Sequence, residues 1–161
     1  MVIILIGVAG SGKPTVGRML SARAGWEFHD ADDLHPPHNR EKMRRGVALT
    51  DADRLPWLYA VRDLMTRCLA EKRSAVIACS ALKQSYRDLL MVDAKDVKFV
   101  YLKGAPALIA ERLARRAEHF FDRRLLQSQF DTLEEPANAI VVDIAAPPEK
   151  IAETIRSRLA P

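Results

Sequence analysis

The chain has 161 residues, of which 48% are hydrophobic, 29% charged and 6% aromatic. This length suffices for a single domain, residues 1–161, with one sizeable core, and it is too short for two ordinary domains. No segment has the composition of a linker, a disordered tail or a membrane span, so we expect neither an unfolded chain nor a membrane partner.

The net charge of +4 raises the question of a nucleic-acid partner. Basic residues cluster in EKMRR (41–45) and in ERLARRAEHFFDRR (111–124), where arginines stand beside acids. Such runs are typical of a solvated helix face, and arginines that close over nucleotide phosphates explain the second cluster equally well. We therefore expect no nucleic-acid partner and keep RNA or DNA binding as the lesser alternative.

Five apolar runs bounded by turn residues predict β-strands. In chain order they are VIILIG (2–7), WEFHD (26–30), SAVIACS (74–80), VKFVYLKG (97–104) and AIVVDIA (139–145). The opening MVIILIG lacks a basic leader and runs into a glycine-rich loop, so we expect a buried strand there rather than a signal peptide.

Helical patterns lie between these strands. They cover residues 15–24, 39–45, 54–71, 84–90, 106–117 and 148–159. Strands that alternate with helices predict an α/β fold of three layers, in which right-handed crossovers build a five-stranded parallel sheet flanked by helices. Ligands of such sheets bind at the carboxyl ends of the strands.

The two cysteines, Cys68 and Cys79, lie in apolar stretches without C-x-x-C spacing. This pattern predicts reduced, packed thiols in a cytoplasmic protein. The sequence leaves an oxidised pair between them open.

The stretch GVAGSGKPT, from Gly7 to Thr15, directly follows the first strand and opens the first helix. Its spacing fits the phosphate-loop pattern G-x-x-x-x-G-K-[ST], with Pro14 where the hydroxyl residue belongs. In such a loop the backbone N–H groups surround the phosphates of a nucleotide, and the lysine reaches the outer ones. The predicted nucleotide-binding residues are Gly7, Val8, Ala9, Gly10, Ser11, Gly12 and Lys13.

Two aspartates follow the second strand, in DADDLHPPHN. On an extended chain Asp30 and Asp32 point to the same side, toward the crevice beside the loop. Two carboxylates there suit one group that holds Mg²⁺ through water and one that orients or deprotonates an attacking hydroxyl.

Three histidines, His29, His35 and His38, lie near these aspartates and allow a zinc site to be drawn. No cysteine joins them in sequence, and the His-Pro-Pro-His segment has constrained geometry. A magnesium nucleotide already accounts for the acids, so we expect no zinc.

Together these segments resemble the gluconokinases of bacterial type, which transfer phosphate from ATP to the 6-hydroxyl of gluconate. The resemblance covers nearly the whole chain. It runs through GVAGSGK, DADDLHPPHNREKMRRG, LTDADRLPWL, CSALKQSYRDLL, VYLKG, HFFDRRLLQSQFDTLEEP and VVDI. A phosphate loop alone is weakly specific, whereas the second, third and fourth of these motifs in this order are far more specific.

The resemblance implies a P-loop kinase fold with a short mobile lid at about residues 115–130. It also implies ATP and Mg²⁺ as cofactors, D-gluconate as the small-molecule substrate, and a homodimer. Asp32 would be the base or orienting group for the sugar-acid hydroxyl, as in the related shikimate kinases, and Asp30 would lie in the magnesium shell. Thr15 keeps a hydroxyl that the family places near the inner phosphate. Further implied nucleotide contacts are Arg112, Arg116 and, in a loop at the adenine edge, Pro147.

The resemblance also suggests which residues bind the sugar acid. Arg54, in DADRLPWL, supplies the planar cation that an anionic acid requires. The implied substrate-binding residues are Asp32, His35, Asn39, Arg54, Lys83, Arg87 and His119. Each has a plainer alternative, such as a pairing of Arg87 with Asp88 or another surface acid.

Three positions depart from the family pattern: Pro14, Glu118 in place of glycine before His-Phe, and Ala48 in place of proline before Leu49. Pro14 matters most, because it removes a hydroxyl ligand of the metal and an N–H directed at a phosphate. Proline is tolerated in the first helical turn, but the residue before it, Lys13, is pushed away from helical angles. A water can fill the vacant metal position, so we expect a weakened loop rather than an inactive one.

The sequence therefore predicts a gluconokinase that transfers the γ-phosphoryl group in line. One alternative within the same enzyme class is a kinase for another polyol acid or a shikimate-like acceptor. A second alternative, which Pro14 keeps open, is a nucleotide-binding module that senses ATP or gluconate without turnover.

Overall fold

A computed structural model describes residues 1–116 and 123–160 of the chain. In this part the strands are β1 (Val2–Ile6), β2 (Glu27–Asp30), β3 (Ala75–Ala78), β4 (Val97–Lys103) and β5 (Ile140–Asp143). The helices are α1 (Lys13–Ala24), α2 (Pro37–Arg44), α3 (Asp51–Ala70), α4 (Gln84–Leu90), α5 (Pro106–Ala114), α6 (Arg123–Thr132) and α7 (Pro148–Leu159). None of these helices is both long and apolar enough to cross a membrane.

The five strands form one parallel sheet in the order β2-β3-β1-β4-β5. Ile4, at the centre of β1, lies opposite Ile77 of β3 and Phe99 of β4. The chain leaves β1 across β3 to reach β2, and it leaves β3 across β1 to reach β4. This reversal opens a crevice at the carboxyl ends of β1 and β3, where ligands of such sheets bind. The predicted α/β fold with five parallel strands is confirmed.

The two faces of β1 supply two separate cores, because successive side chains of a strand point to opposite faces. Val2, Ile4 and Ile6 pack into the layer of α3 and α4, with Trp57, Leu58, Val61, Met65 and Leu90. Ile3 and Leu5 pack into the layer of α1 and α7, with Val16, Leu20, Ile151 and Ile155. All five residues of β1 are buried, so the strand that leads into the phosphate loop is held on both faces.

Several helices begin earlier than the sequence pattern suggests. Helix α1 begins at Lys13 rather than at Thr15, and α3 begins at Asp51 rather than at Arg54. Before α3, Thr50 Oγ1 accepts a hydrogen bond from Asp53 N (3.1 Å), and Asp53 Oδ2 accepts one from Thr50 N (2.9 Å). This capping box fixes the start of the helix that carries Arg54.

Helix α6 is an element that the sequence analysis did not predict, because it assigned residues 115–130 to the lid. Residues 117–122 of that lid lie outside the described residues, and residues 123–130 belong to α6. The helix contributes Leu126 and Phe130, one turn apart, to the core on the α1 and α7 side of the sheet. That spacing was the available signal for this helix.

Candidate functional site

The carboxyl ends of β1, β2 and β3 surround a cleft of about 530 Å³. Its walls include residues of the phosphate loop, of the β2–α2 turn and of α3, together with Arg116 and the inner face of α6. The predicted site residues that line it are Ala9, Gly10, Lys13, Asp30, Asp32, His35, Arg54 and Arg116. A second depression of about 560 Å³, more open to solvent, is lined by residues of α6 and by Lys83.

The phosphate loop, residues 7–13, is built around close approaches that only glycine allows. A Cβ at Gly7 would lie 2.7 Å from Ser11 Oγ and 3.0 Å from Leu102 O. Gly12 has φ 90°, in the left-handed region that other residues rarely adopt, and it forms the N-cap of α1. The chain therefore turns sharply from β1 into α1, and the N-terminus of the helix faces the cleft.

Lys13 lies along the inner side of this loop. Its Nζ donates to Gly7 O (2.8 Å) and to Val8 O (3.1 Å). Burial lowers the pKa of this ammonium group, while the negative charges of Asp32 and Asp30 act in the opposite direction. A half-buried lysine with two acidic neighbours at the mouth of the loop is well placed to meet further negative charge.

Pro14 fits into the first turn of α1 without interrupting it. Val16 N donates to Gly12 O (2.9 Å), so the helix closes its first turn around the proline. Lys13 is itself the first helical residue, although the residue before a proline was expected to avoid helical angles. Pro14 also lines the cleft, where it offers neither a hydroxyl nor an N–H.

Asp30 and Asp32 both line the cleft, but not for the reason that the sequence suggested. Strand β2 ends at Asp30, and Asp32 lies in a 3₁₀ turn over Ala31–Leu34 rather than on extended chain. Asp30 Oδ1 caps this turn by accepting a hydrogen bond from Asp32 N (3.0 Å). Burial, and then the charges of Asp32 and Asp33, raise the pKa of Asp30, whereas Lys13 lowers it.

His35 is buried at the floor of the cleft, stacked on Trp57 with ring centroids 4.2 Å apart. Asn39 Nδ2 donates to His35 Nδ1 (3.1 Å) and to Asp53 O (2.8 Å). The proton of the neutral ring is therefore on Nε2, which lies 3.9 Å from Asp32 Oδ1. Burial lowers the pKa of His35 to about 4, with Arg40 and Arg54 contributing, so the ring is neutral at pH 7.

The arrangement separates the roles of His35 and Asn39. Asn39 is only 1% exposed and its amide nitrogen already donates twice, so it holds the histidine ring rather than facing the cleft. Asn39 is not among the residues that line the cleft, and its contact with a substrate hydroxyl stays a prediction.

Arg54 reaches the cleft from the first turn of α3. Its Nη1 donates to the hydroxyl of Tyr86 (3.1 Å), which in turn donates to Asp51. Lys83 Nζ binds the same Asp51 carboxylate (2.9 Å) and lies at the second depression instead of the cleft. Of the two cations, Arg54 is therefore the one that faces the space beside Asp32.

Arg87, which the sequence analysis predicted as a substrate ligand, is not among the residues that line the cleft. Its side chain is buried, and the guanidinium group donates to the carbonyl oxygens of Ala81 (2.8 Å), Leu82 (3.0 Å) and Glu134 (2.7 Å). Glu134 follows α6 and is 47 residues away in sequence, so local sequence could not reveal this contact. Arg87 ties the β3–α4 turn to the segment that follows α6.

The remaining predicted nucleotide contacts, Thr15, Arg112 and Pro147, are not among the residues that line the cleft. Arg112 Nη2 donates to Ile144 O (2.5 Å) and so joins α5 to the loop that ends at Pro147, which is exposed. Thr15 is exposed on the first turn of α1. His119 lies outside the described residues.

Two residues that the sequence analysis missed also line the cleft. The carbonyl oxygen of Ser80, just after β3, accepts a hydrogen bond from Gly7 N (3.4 Å). Gln129 of α6 accepts a hydrogen bond through Oε1 from Ala9 N (2.7 Å). The motifs CSALK and LLQSQF contain these residues, but no spacing rule assigns them a role.

The three histidines of the alternative zinc site have different partners. His29 pairs with Glu27 (3.0 Å), His38 with Asp53 (3.2 Å), and His35 with Asn39. They do not form a shared ligand set. Cys68 and Cys79 are both free and buried, as expected.

Comparisons with known proteins identify similar sequences. Residues 2–137 match the family model described as an AAA domain. The chain is 46% identical to a probable gluconokinase of Rattus norvegicus, with 84% of this chain and 83% of the relative covered. It is 45% identical to a gluconokinase of Gluconobacter oxydans, with 84% and 76% covered.

Two solved structures superpose on nearly the whole chain. A gluconokinase from Sinorhizobium meliloti 1021 superposes with a TM-score of 0.87 at 41% identity, covering 98% of this chain and 92% of the other. A shikimate kinase from Aquifex aeolicus superposes with a TM-score of 0.63 at 21% identity, covering 99% and 96%, which shows a shared fold alone.

Proposed function

Because this chain belongs to the gluconokinase family of P-loop kinases, we propose that it transfers the γ-phosphoryl group of ATP to the 6-hydroxyl of D-gluconate. The products are 6-phosphogluconate and ADP. One observation carries the proposal: a single cleft has a phosphate loop with Lys13 on one wall and the Asp32 carboxylate, with Arg54 near it, on another. The cleft therefore offers groups complementary to a nucleotide and groups complementary to an anionic hydroxy acid in the same space.

The loop and its lysine act on the nucleotide. The N–H groups at the start of α1 and the ammonium of Lys13 would stabilise the negative charge of the phosphates, which is how such enzymes lower the barrier to transfer. Thr15, Arg112 and Arg116 would add contacts to the nucleotide, with Pro147 at the edge of the adenine. We further propose one kinase domain of residues 1–161, in which the part of the expected lid that precedes the packed helix α6 closes over the cleft and excludes water.

Asp32 acts on the acceptor. Its side chain is 65% exposed, so its oxygens are accessible to a substrate hydroxyl. As the 6-oxygen forms its bond to the γ-phosphorus, the bond from that phosphorus to the leaving ADP oxygen breaks, and Asp32 accepts the hydroxyl proton. The neutral His35, with its Nε2 proton on the side of Asp32, is available to another hydroxyl of the sugar acid.

Arg54 is the cation that we propose for the carboxylate of gluconate. The hydrogen bond from Arg54 to Tyr86 holds the guanidinium group in place at the cleft. Lys83 and His119 remain further proposed substrate contacts from the family resemblance. The geometry gives Asn39 and Arg87 supporting positions behind the cleft.

The residues of the cleft fit a magnesium ion. Asp30, Asp32 and Ser80 line the same space and carry oxygen groups, which are the ligands that Mg²⁺ prefers. Asp30 is the group that we propose to hold the ion through water. When bound, Mg²⁺ would neutralise charge on the phosphates. Pro14 supplies no ligand, so the metal site lacks one hydroxyl that the usual loop sequence provides.

We extend the proposal to the setting in which the enzyme works. We propose a cytoplasmic homodimer, as the family resemblance implies, without a nucleic-acid partner, since arginines stand beside acids in the charged runs. Sedimentation equilibrium tests whether the protein is a dimer. Titration with a polynucleotide over a range of salt concentrations tests whether the protein binds nucleic acid.

The experiment that tests the function measures ADP released from Mg-ATP in the presence of D-gluconate. A gluconate analogue without the 6-hydroxyl serves as the matched substrate control. We expect ADP release when gluconate is the acceptor and no release above background when the analogue replaces it. Binding of ATP without gluconate-dependent release of ADP would instead support a nucleotide-binding sensor, the alternative that Pro14 keeps open.

A further inference from the structure

The side chain of Gln129 connects the phosphate loop to helix α6. Its Oε1 accepts a hydrogen bond of 2.7 Å from the backbone N–H of Ala9, 120 residues earlier in the chain. Ala9 is the third residue of the loop, and both residues line the cleft. A side chain from a distant helix therefore contacts the part of the protein that is built to meet phosphates.

This contact fixes the orientation of the Gln129 amide. A backbone N–H can only donate, so the oxygen of the side-chain amide must face Ala9. The Nε2 group, with two hydrogens, lies in the same plane at the other end of the amide from that contact. Because Gln129 lines the cleft, these donors are near the space where ligands bind.

Helix α6 holds Gln129 firmly in this position. Leu126 and Phe130 pack in the same core as Val8 of the loop. Just beyond the helix, Glu134 N donates to Leu82 O (2.8 Å), and Glu134 O accepts a hydrogen bond from Arg87 (2.7 Å). Contacts on both sides of Gln129 thus limit its freedom, and a donor that is ordered in advance loses little entropy when it binds.

The position of Lys13 indicates which ligand group Gln129 meets. Lys13 Nζ binds Gly7 O and Val8 O, the two carbonyl groups that precede Ala9, so the lysine and Gln129 flank the same part of the loop. In a phosphate loop that lysine serves the outer phosphates of the nucleotide. Pro14 also leaves the loop one N–H donor short, which makes another donor on this wall more valuable.

We propose that Gln129 binds the terminal phosphoryl group of the nucleotide. Its Oε1 stays on Ala9 N while its Nε2 donates to an oxygen of that group, so Gln129 distinguishes ATP from ADP. This inference rests on the proposed function for the identity of the nucleotide. It assigns to α6 a direct part in nucleotide recognition.

The test compares the affinities of Mg-ATP and Mg-ADP by calorimetry, without gluconate, in the wild type and in Gln129→Glu. The variant keeps an acceptor for Ala9 N but replaces the donor with a negative oxygen. We expect the affinity for ATP to fall by about tenfold or more, as for loss of a hydrogen bond to a charged group, and that for ADP by less than about threefold. The matched control is Gln127→Glu, at an exposed position of the same helix whose amide bonds Asp131, and it should change neither affinity.

A second variant, Gln129→Met, is uncharged and has no hydrogen-bonding group, so it serves if the glutamate variant does not fold. It should also reduce the preference for ATP over ADP, by a smaller factor. If Gln129 only stabilised the loop, its replacement would weaken ATP and ADP binding equally or would weaken neither. Either result, measured against the Gln127→Glu control, would overturn the inference. The ratio of the affinities for ATP and ADP does not depend on turnover. A wild-type protein that binds ATP without phosphorylating gluconate would therefore contradict only the proposed function.

Discussion

The two walls of the cleft are built in different ways. The phosphate-loop wall consists of consecutive residues, 7–13, and relies on backbone groups that the glycines expose. The acceptor wall consists of side chains from the β2–α2 turn and α3, supported from behind by hydrogen bonds such as those of Arg54 with Tyr86 and of Asn39 with Asp53 O. A wall made of backbone depends on local sequence, whereas a wall made of side chains depends on the packing of distant elements.

The largest effect that this comparison predicts is at the acceptor wall. Asp32→Asn should lower kcat by about 10²–10⁴-fold, because it removes the group that accepts the hydroxyl proton. The affinity for ATP should change little, since the loop wall is intact. Steady-state kinetics together with nucleotide titration would check both. The matched control is Asp33→Asn, at an exposed position one residue away. Full activity of the Asp32→Asn variant would contradict the role of Asp32 as the proton acceptor.

The next prediction concerns the support behind the acceptor wall. Arg87→Met should reduce the free energy of unfolding by about 2–4 kcal/mol, because the carbonyl groups that it serves lose their donor. Urea denaturation would measure this loss, with Arg62→Met at an exposed position of α3 as the control. Unchanged stability together with a raised KM for gluconate would instead restore Arg87 as a substrate ligand.

At the loop wall, Pro14→Ser should raise kcat/KM for ATP by about ten- to hundredfold, since one interaction with a charged group is regained. Pro14→Ala restores the N–H without the hydroxyl and so separates the two contributions. A serine variant no more active than the wild type would show that the missing hydroxyl costs nothing.

The smallest predicted effect is the pH dependence that His35 gives to stability. The pKa of His35 is lowered to about 4 in the folded state from 6.5, so between these values the unfolded chain binds more protons. The free energy of unfolding should therefore fall as the pH is lowered, by about 2 kcal/mol between pH 7 and 5. Urea titrations at both values would detect it.

Two histidine variants isolate the contribution of His35 from those of other titrating groups. His35→Gln should remove most of the pH dependence in this window, whereas the exposed His38→Gln should leave it in place. The raised pKa of Asp30 contributes with the opposite sign, and it is present in both variants. An equal pH dependence in the two variants would contradict the assignment to His35.

Much of the fold could be predicted from sequence because its signals are local. Apolar runs marked the five strands, and the spacing of glycines and lysine marked the loop. The prediction was less successful where a contact joins distant residues. Arg87 looked like a ligand because arginines bind acids, yet its partner Glu134 O comes from beyond α6. Helix α6 itself was assigned to the lid because the charged run before it dominated the pattern.

Local sequence patterns were sufficient to predict the parallel α/β sheet, the phosphate loop with its proline, and the residues from which a kinase site could be assembled. The packing of distant elements established which of these side chains share a cleft, which ones support it from behind, and that Gln129 contacts the loop. The physical reason is the range of the interactions. Backbone geometry is set by neighbouring residues, whereas the partner of a polar side chain is set by packing between elements that lie far apart in the chain.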